Sequence, residues 1–372
     1  MFRKIVLGCL LLASTAVFAI PRLVYNSDTL EWNYSWQKQQ CGTLDIKANI
    51  IEVSGIACSR VTPGYIWMES DETEKYIIAT DEGGAKRACK LNMSKTIGWD
   101  WEDLSGGVYN GVNYLFIGSF GDNDEQRTDY RIIYFEEPSI DPVNAPEQTV
   151  TPKYIKYVYP DGKSHNNEAL MYDNVDQMIY IITKVYYDVC QVFRIPFRLD
   201  YGDAVQTLEY VCDLGKQEDI GIGAVEVDGT VVHRRYKGFH LVTAADISPD
   251  GKYILIKNHN NIVSTYCWVL YWVRQEGESV ADAIKRQPQP IKAYNTTEWQ
   301  GEAICWLDDD TFYTTSDSDD GNPPIFKFTR KWSEGIENVA DQKKTKELVL
   351  EGNILCIRTQ EGLFTLDGRR AR

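Results

Sequence analysis

Glu168-Ala169-Leu170-Met171-Tyr172 passes through the turn Asp173-Asn174 to Met178-Ile179-Tyr180-Ile181-Ile182: an acidic residue, a short apolar run, a polar turn and a second apolar run. Apolar runs this short, closed by Asp, Asn and Gly instead of continuing at helical spacing, read as two strands of a hairpin. The unit recurs along the chain. Asp246-Ile247-Ser248 leads through Pro249-Asp250-Gly251 to Tyr253-Ile254-Leu255-Ile256, and Glu302-Ala303-Ile304-Cys305-Trp306 leads through Asp308-Asp309-Asp310 to Phe312-Tyr313-Thr314-Thr315. Upstream, Glu102-Asp103-Leu104 precedes Tyr114-Leu115-Phe116-Ile117-Gly118, and Ser54-Gly55-Ile56-Ala57 precedes Tyr65-Ile66-Trp67-Met68.

The copies begin at 54, 102, 168, 246 and 302, at intervals of 48, 66, 78 and 56 residues, which match or exceed the ~40–50 residues of a four-stranded propeller blade. The excess is assigned to loops. With 23 Tyr, 12 Phe and 10 Trp and β-branched residues throughout, the composition favours strands, and residues 277–285 form the one persuasive helical stretch. The fold expected is all-β, a single β-propeller. A ring of repeats has to close, and the segments outside the five copies lie at the two ends, residues 23–51 and 348–366. N- and C-terminal strands sharing one last blade would remove the open sheet edges. That gives six blades, with five as the alternative.

The first residues read as a secretory signal: Arg3 and Lys4, an apolar run from Ile5 to Phe18, and small residues up to Ala19. The domains expected are a signal peptide at 1–19 and one propeller domain at 20–372, because no Pro-, Ser- or Gly-rich linker divides the rest. A lipoprotein reading at Cys9 leaves too short an apolar run before the cysteine. No later stretch reaches the ~18 apolar residues of a membrane span. The expectation is an exported bacterial protein, periplasmic or extracellular, monomeric and not membrane-spanning. A net charge of −15 and a pI near 4.8 argue against nucleic acid and anionic membranes, which need clustered Lys and Arg; cationic partners, Ca²⁺ above all, suit the balance. Four histidines, at 165, 233, 240 and 259, are too few for a His-rich zinc centre. Beyond Cys9 there are eight cysteines, an even number that permits disulfides in an exported chain. Cys190 with Cys212 and Cys41 with Cys356 are the pairs to test, whereas Cys58 and Cys305, at matching points of two inner strands, read as buried thiols.

Ser54-Gly55, Asp100-Trp101-Glu102-Asp103, Gly121-Asp122-Asn123 with Arg127, Tyr159-Pro160-Asp161-Gly162, Glu168-Ala169-Leu170, Thr183-Lys184, Thr243-Ala244-Ala245-Asp246-Ile247-Ser248-Pro249-Asp250-Gly251 and Gln300-Gly301-Glu302-Ala303-Ile304 follow in that order. The ordered set, over roughly residues 50–330, resembles a family of secreted bacterial propeller proteins of largely undefined function, distantly similar to phytase-like and esterase-like propellers. The resemblance implies the fold and hardly any chemistry, because sites and not folds carry function. The longer N-terminal segment and the Cys-containing strands depart from the family's pattern.

In a propeller the first strand of each blade lines the channel, so Glu102, Glu168, Asp246 and Glu302 are expected to meet near one mouth, with Ser54 at the matching place of the first blade. Crowded carboxylates raise one another's pKa unless a cation or a donor compensates. Two solutions stay open. One is a hard-cation site in which Glu102, Glu168, Asp246 and Glu302 ligate Ca²⁺ and hold a ligand's phosphate or carboxylate through the metal, with Asp103, His165 and Lys184 completing the ligand-binding set. The other is ion pairing with Lys184, Lys257 and Arg60, together with backbone N–H groups, which would fix blade register and do nothing else. The acidic loops 121–125 and 317–322 either clasp Ca²⁺ or are ordinary turns; the second fails the EF-hand template, which needs glycine where Asn322 stands. His165 and His259 are acid or base candidates beside a carboxylate, or plain loop histidines.

No Gly-x-Ser-x-Gly elbow, P-loop or His-Glu-x-x-His occurs, which disfavours serine hydrolases of the α/β type, nucleotide hydrolases and zincins. The function expected is a binding module that holds a small ligand, a glycan or a protein partner at the channel mouth, with or without Ca²⁺. Trp99, Trp101, Trp299 and Tyr65 are the aromatics that could stack on sugars, or are inter-blade core. The alternative is a Ca²⁺-dependent phosphoester or carboxylic ester hydrolase in which a metal-bound water attacks and Glu168 or Glu302 is the base. Against phosphate stands the lack of a Lys/Arg cluster near the motifs.

Overall fold

Short apolar runs separated by Gly, Asp and Asn turns pair most easily with the next run along the chain, and in the computed structural model the chain does this in five successive sheets. The structure describes residues 33, 35–47, 50, 52–95, 98–185, 189–214, 225–227, 230–232, 241–259, 267–291, 298, 300–317, 321–331, 347–351, 354–359 and 362–365; the signal sequence expected at 1–19 lies outside them. From the channel outward, blade 1 orders Val53–Cys58, Tyr65–Ser70, Thr73–Asp81 and Arg87–Met93, and blade 2 orders Trp101–Tyr109, Val112–Ser119, Arg131–Glu136 and Lys153–Val158. Blade 3 comprises Asn167–Asp173, Met178–Thr183, Gln191–Pro196 and Glu209–Asp213; blade 4 comprises Val242–Ile247, Tyr253–His259, Cys267–Val273 and Gln289–Pro290. Blade 5 runs Ala303–Asp308, Thr311–Thr315 and Pro324–Arg330, then Trp36–Thr43 from the other end of the chain.

The core is divided by the same ring. Apolar side chains fill each seam: Trp67 and Leu115 between blades 1 and 2, Phe116 and Phe193 between 2 and 3, Met171 and Trp272 between 3 and 4, Tyr271 and Trp306 between 4 and 5, and Met68 and Tyr313 between 5 and 1. The fifth seam closes the circle, so the fold is a five-bladed propeller. The sixth blade expected from the two termini is not formed among the described residues. Residues 303–330 supply only three strands, and Trp36–Thr43 is taken up as the fourth. Glu347–Glu351, Ile354–Thr359 and Gly362–Thr365 pair with one another in a separate sheet, so among the described residues the N- and C-terminal strands share no blade.

The long intervals between copies, expected to be loops, carry strands that reach back. Glu147–Val150 lies parallel on the outer strand of blade 1 and Val205–Thr207 parallel on the outer strand of blade 2. The helical stretch expected at 277–285 is the single turn Val280–Ala283, capped by Ser279. No helix among the described residues is long and apolar enough to cross a membrane.

Trp36 anchors the closing strand. It is buried, with its ring 5.0 Å from Phe312 and 5.8 Å from both Trp306 and Tyr271. Trp36→Ala removes an aromatic from a filled seam and is expected to lower the unfolding free energy by ~3–5 kcal/mol, read from urea denaturation; a loss under ~1 kcal/mol would show that the N-terminal strand does not close the ring.

Candidate functional site at the acidic channel mouth

Backbone register aligns the blades at one end of the channel. A β-bulge falls on the second residue of the inner strand in blades 1 to 4, at Ser54, Glu102, Glu168 and Thr243, and Glu302, just before Ala303–Asp308, is the counterpart in blade 5. A bulged residue leaves the ladder and its side chain is re-aimed. Two residues earlier stand Glu52, Asp100, Leu241 and Gln300, with φ of 51°, 59°, 56° and 40°, a left-handed conformation that costs a non-glycine residue roughly 1–2 kcal/mol. The carbonyls of Asp100, Asn166, Leu241 and Gln300 accept the N–H groups of Phe120, Lys184, His259 and Asp317, where each blade's second strand ends. In blade 1 the register Val53↔Ser70 puts Asp71 at that place. The mouth therefore has two tiers: Ser54, Glu102, Glu168, Thr243 and Glu302 inside, with Asp71, Phe120, Lys184, His259 and Asp317 around them.

Asp246 does not belong to the first tier. It lies three residues beyond Thr243, at the level of Ser105, because the bulge at Thr243 sets the register and not the nearest acid in the sequence. Its Oδ2 accepts the Trp306 N–H at 2.7 Å, while Ser105 Oγ accepts the Tyr172 N–H at 3.3 Å. Asp103 accepts from the Leu104 and Leu170 N–H groups at 2.8 and 2.7 Å. The innermost strand of a blade is an edge whose outward N–H groups have no strand partner, and these side chains satisfy them. Burial pushes Asp246 up to about 6 and Asp103 well above the usual carboxyl range, against the backbone donors that favour the charged form. Asp103 and Asp246 thus join neighbouring blades.

Glu102, Glu168 and Glu302 do come together, with Lys184 among them. The Lys184 ammonium pairs with the Glu168 carboxylate, both buried. Burial works against the charge on Lys184, but Glu168, Glu302 and Glu102 outweigh it and raise its pKa. For the carboxyls burial prevails: Glu102 and Glu302 are pushed well above the usual range, Lys184 opposing. His259 Nδ1 stands 3.8 Å from Glu302 Oε1. Gly121 leaves room for the cluster, since a Cβ there would meet Glu102 Oε1 at 2.0 Å.

Blade 1 carries the acidity inward. Burial, reinforced by Asp317 and Glu72, lifts Asp71 to about 7, and burial with a hydrogen bond to Glu72 lifts Glu52 to about 7. Next to Asp71, Glu69 is fully buried, and neither of its carboxyl oxygens has a hydrogen-bond partner among the described residues; Asp71 Oδ1 and Ser54 Oγ are likewise buried and unpartnered. Glu69 Oε1 points at the crossing of the first two inner strands: a Cβ on Gly55 would lie 2.7 Å from it and 2.2 Å from the Leu104 nitrogen, so only glycine allows that approach. Burial, with Asp71, Asp103 and Glu302 nearby, pushes Glu69 well above the carboxyl range. Sequence reading passed over Glu69 and Asp71 because they sit on a second strand; the available signal was the alignment of Ser70-Asp71 with Thr183-Lys184, Asn258-His259 and Ser316-Asp317.

The remaining candidates are engaged elsewhere. Lys257 pairs with Glu298 at 2.8 Å, both fully buried, and donates to the carbonyls of Ala303 and Thr315. Arg60 acts on Asp246 and reaches the Gly106 carbonyl at 3.5 Å. His165 Nε2 lies 3.0 Å from Asp161 Oδ2, its ring against Tyr159. In the loop 121–125, Asp122 accepts from the Gln126 and Arg127 N–H groups and the Tyr130 hydroxyl, which is turn chemistry. Asp317 Oδ2 accepts from Gln300 at 2.6 Å; residues 318–320 of that loop lie outside the described residues, as do His233, His240 and Trp299. Trp101 is buried, Tyr65 half-buried and Trp99 47 % exposed, with the Arg127 guanidinium 4.1 Å from its ring centre. Cys41, Cys190 and Cys212 are free thiols, and the side chain of Cys356 lies outside the described residues. Among the described residues no three His, Cys, Asp or Glu side chains are grouped so as to hold a metal ion. The donor set as placed does not fit a preformed Ca²⁺ centre.

The raised carboxyls carry a sign. A carboxyl whose folded pKa lies above its unfolded value binds extra protons in the fold, so the stability it lends is complete below about pH 4 and is lost as pH rises through the folded pKa, near 7 for Asp71 and Glu52. Asp71→Asn is expected to flatten the fall of melting temperature between about pH 4 and 7 relative to the parent; parallel curves would refute the raised pKa. Lys184→Met should strand the Glu168 charge and cost about 3–5 kcal/mol, most of it recovered in Lys184→Met with Glu168→Gln, as measured by chemical denaturation.

Comparison with known proteins adds little beyond the fold. No protein-family model matches the chain, and no curated protein matches it. Among solved structures it is similar to an α-L-arabinofuranosidase from Podospora anserina in complex with cellotriose, at 10 % identity and a TM-score of 0.45 over 81 % of this chain and 98 % of that one. It is also similar to a 6-phosphogluconolactonase-like protein from Bacteroides fragilis, at 11 % identity and a TM-score of 0.34 over 71 % and 76 % of the two chains. Likeness of this order says nothing about substrate.

Proposed function

We propose that the protein is an exported binding module whose channel mouth takes a small organic cation, an amine or a guanidine. One observation carries the reading: among the described residues Glu69 Oε1 and Oε2, Asp71 Oδ1 and Ser54 Oγ, all contributed by blade 1, are buried oxygens without hydrogen-bond partners. Carboxylates and a hydroxyl lone pair accept hydrogen bonds, so the missing group is a donor, and an ammonium offers three donors and no acceptor. A cation there would also let carboxyls that burial keeps protonated become charged. An organic cation is favoured over a bare Ca²⁺ because among the described residues no three His, Cys, Asp or Glu side chains are grouped so as to hold a metal ion. The half-exposed Trp99 beside Asp100 would receive an apolar or sugar-like face of the same ligand. Export rests on the charged and apolar N-terminal pattern, Arg3-Lys4 and residues 5–18.

The test is a melting-temperature screen of the full chain against matched pairs: glucosamine with glucose, agmatine with butanol, and CaCl₂ alone. At about 10 mM the amines should raise the melting temperature by some 2 °C or more while their neutral partners do not, and Glu69→Gln with Asp71→Asn should abolish the shift. A shift with CaCl₂ alone would replace the reading with the metal site. Ca²⁺-dependent turnover of phosphoesters or carboxylic esters would replace it with the hydrolase, and no shift with any cation would end it.

A further inference from the structure

Cys58 and Cys305 occupy matching places on the inner strands of blade 1 and blade 5. They lie 247 residues apart in the chain, yet their Sγ atoms are 3.4 Å apart in the fold. Both are buried in the seam where the circle closes, among Ile56, Met68, Ala303 and Tyr313. The other described thiols that make a sulfur contact turn to different groups: Cys41 to the Glu82 and Ile325 carbonyls, Cys89 to Ala145 and Gln148, and Cys267 to the Glu298 carbonyl. Here, in contrast, each thiol is the other's polar neighbour.

We infer that Cys58 and Cys305 form a disulfide that locks the first blade to the last. The separation is already at thiol contact, and the inner strands of blades 1 and 5 pack against each other, so a modest rotation of the two sulfurs brings them to bonding distance. The thiols meet only when blade 5 docks on blade 1, so the bond marks completion of the ring. Chemically, the Cys58 thiolate attacks a disulfide donor, a protein dithiol oxidant or oxidised glutathione, to give a mixed disulfide; Cys305 then attacks the Cys58 sulfur. Two electrons and two protons pass to the donor, which leaves as two thiols. Once formed, the bond is enclosed in an apolar seam away from reductants. A cross-link spanning so long a stretch of chain restricts the unfolded state strongly.

The experiment uses the full chain made in an oxidising compartment, denatured and alkylated without reductant, and digested for mass spectrometry. The expected result is a peptide pair joining Cys58 to Cys305, two hydrogens lighter than the free peptides and separated by reductant, with Cys41 and Cys267 alkylated. Reduction should lower the melting temperature of the parent by about 5 °C or more and leave Cys305→Ser unmoved. Full alkylation of Cys58 and Cys305 before reduction, after equilibration with a glutathione couple, would overturn the inference, as would a link from either one to a different cysteine. The peptide measurement is made on the unaltered chain, so it stands even if Cys305→Ser folds poorly.

Discussion

Each blade turns its innermost strand to the channel as a sheet edge, with N–H groups that no further strand can reach. Much else follows from satisfying that edge. Asp103 in blade 2 accepts from Leu170 in blade 3, Ser105 from Tyr172, and Asp246 in blade 4 from Trp306 in blade 5. Side chains alternate along a strand, so in blade 2 the positions one and three residues past the bulge, Asp103 and Ser105, and in blade 4 the position three past it, Asp246, face the neighbouring blade and are consumed by this stitching. The bulged position itself is left over. It is there, at the mouth, that Glu102 and Glu168 can face something other than backbone.

The electrostatics of the mouth are uneven around the ring. Blades 3 and 4 bring Lys184 and His259, and Lys257 deals with Glu298 beneath them. Blade 1 brings Glu69 and Asp71, and among the described residues Glu69 Oε1 and Oε2, Asp71 Oδ1 and Ser54 Oγ are buried with nothing to accept from. Ion pairing therefore accounts for the acids of blades 3 and 4, while those of blade 1 are left without such partners among the described residues. Net charge alone would not have separated them, because the chain is acidic everywhere.

The architecture was legible because each blade repeats a hairpin signature of apolar run, Asp/Gly/Asn turn and apolar run, and because the aromatics needed for the seams are abundant. Blade number was harder: nothing in residues 303–330 announces that a fourth strand is missing, and only the pairing of Trp36 with Arg330 reveals where the N-terminal segment is used. At the site, Glu102, Glu168, Glu302 and Lys184 were legible from the acid-before-strand pattern. Asp246 was assigned to the wrong level since a bulge adds a residue without leaving a mark in composition, and Thr243 gives no chemical cue. Glu69 and Asp71 were hidden for a different reason, as their importance comes from burial and from the absence of donors, which only packing shows.

Trp36–Thr43 lies at one end of the chain and its partner Pro324–Arg330 near the other. During synthesis the first strand emerges long before the sheet that will receive it, so blade 5 stays a three-stranded fragment with an open edge until almost the whole chain is available. Contacts this distant in sequence make folding slow, and the waiting strand is exposed to wrong partners in the meantime. Gln37, Lys38, Gln39 and Gln40 fill much of that strand, and such polar, charged side chains discourage pairing with another copy. The seam between blade 5 and the N-terminal strand is thus the last part of the ring for which both partners become available.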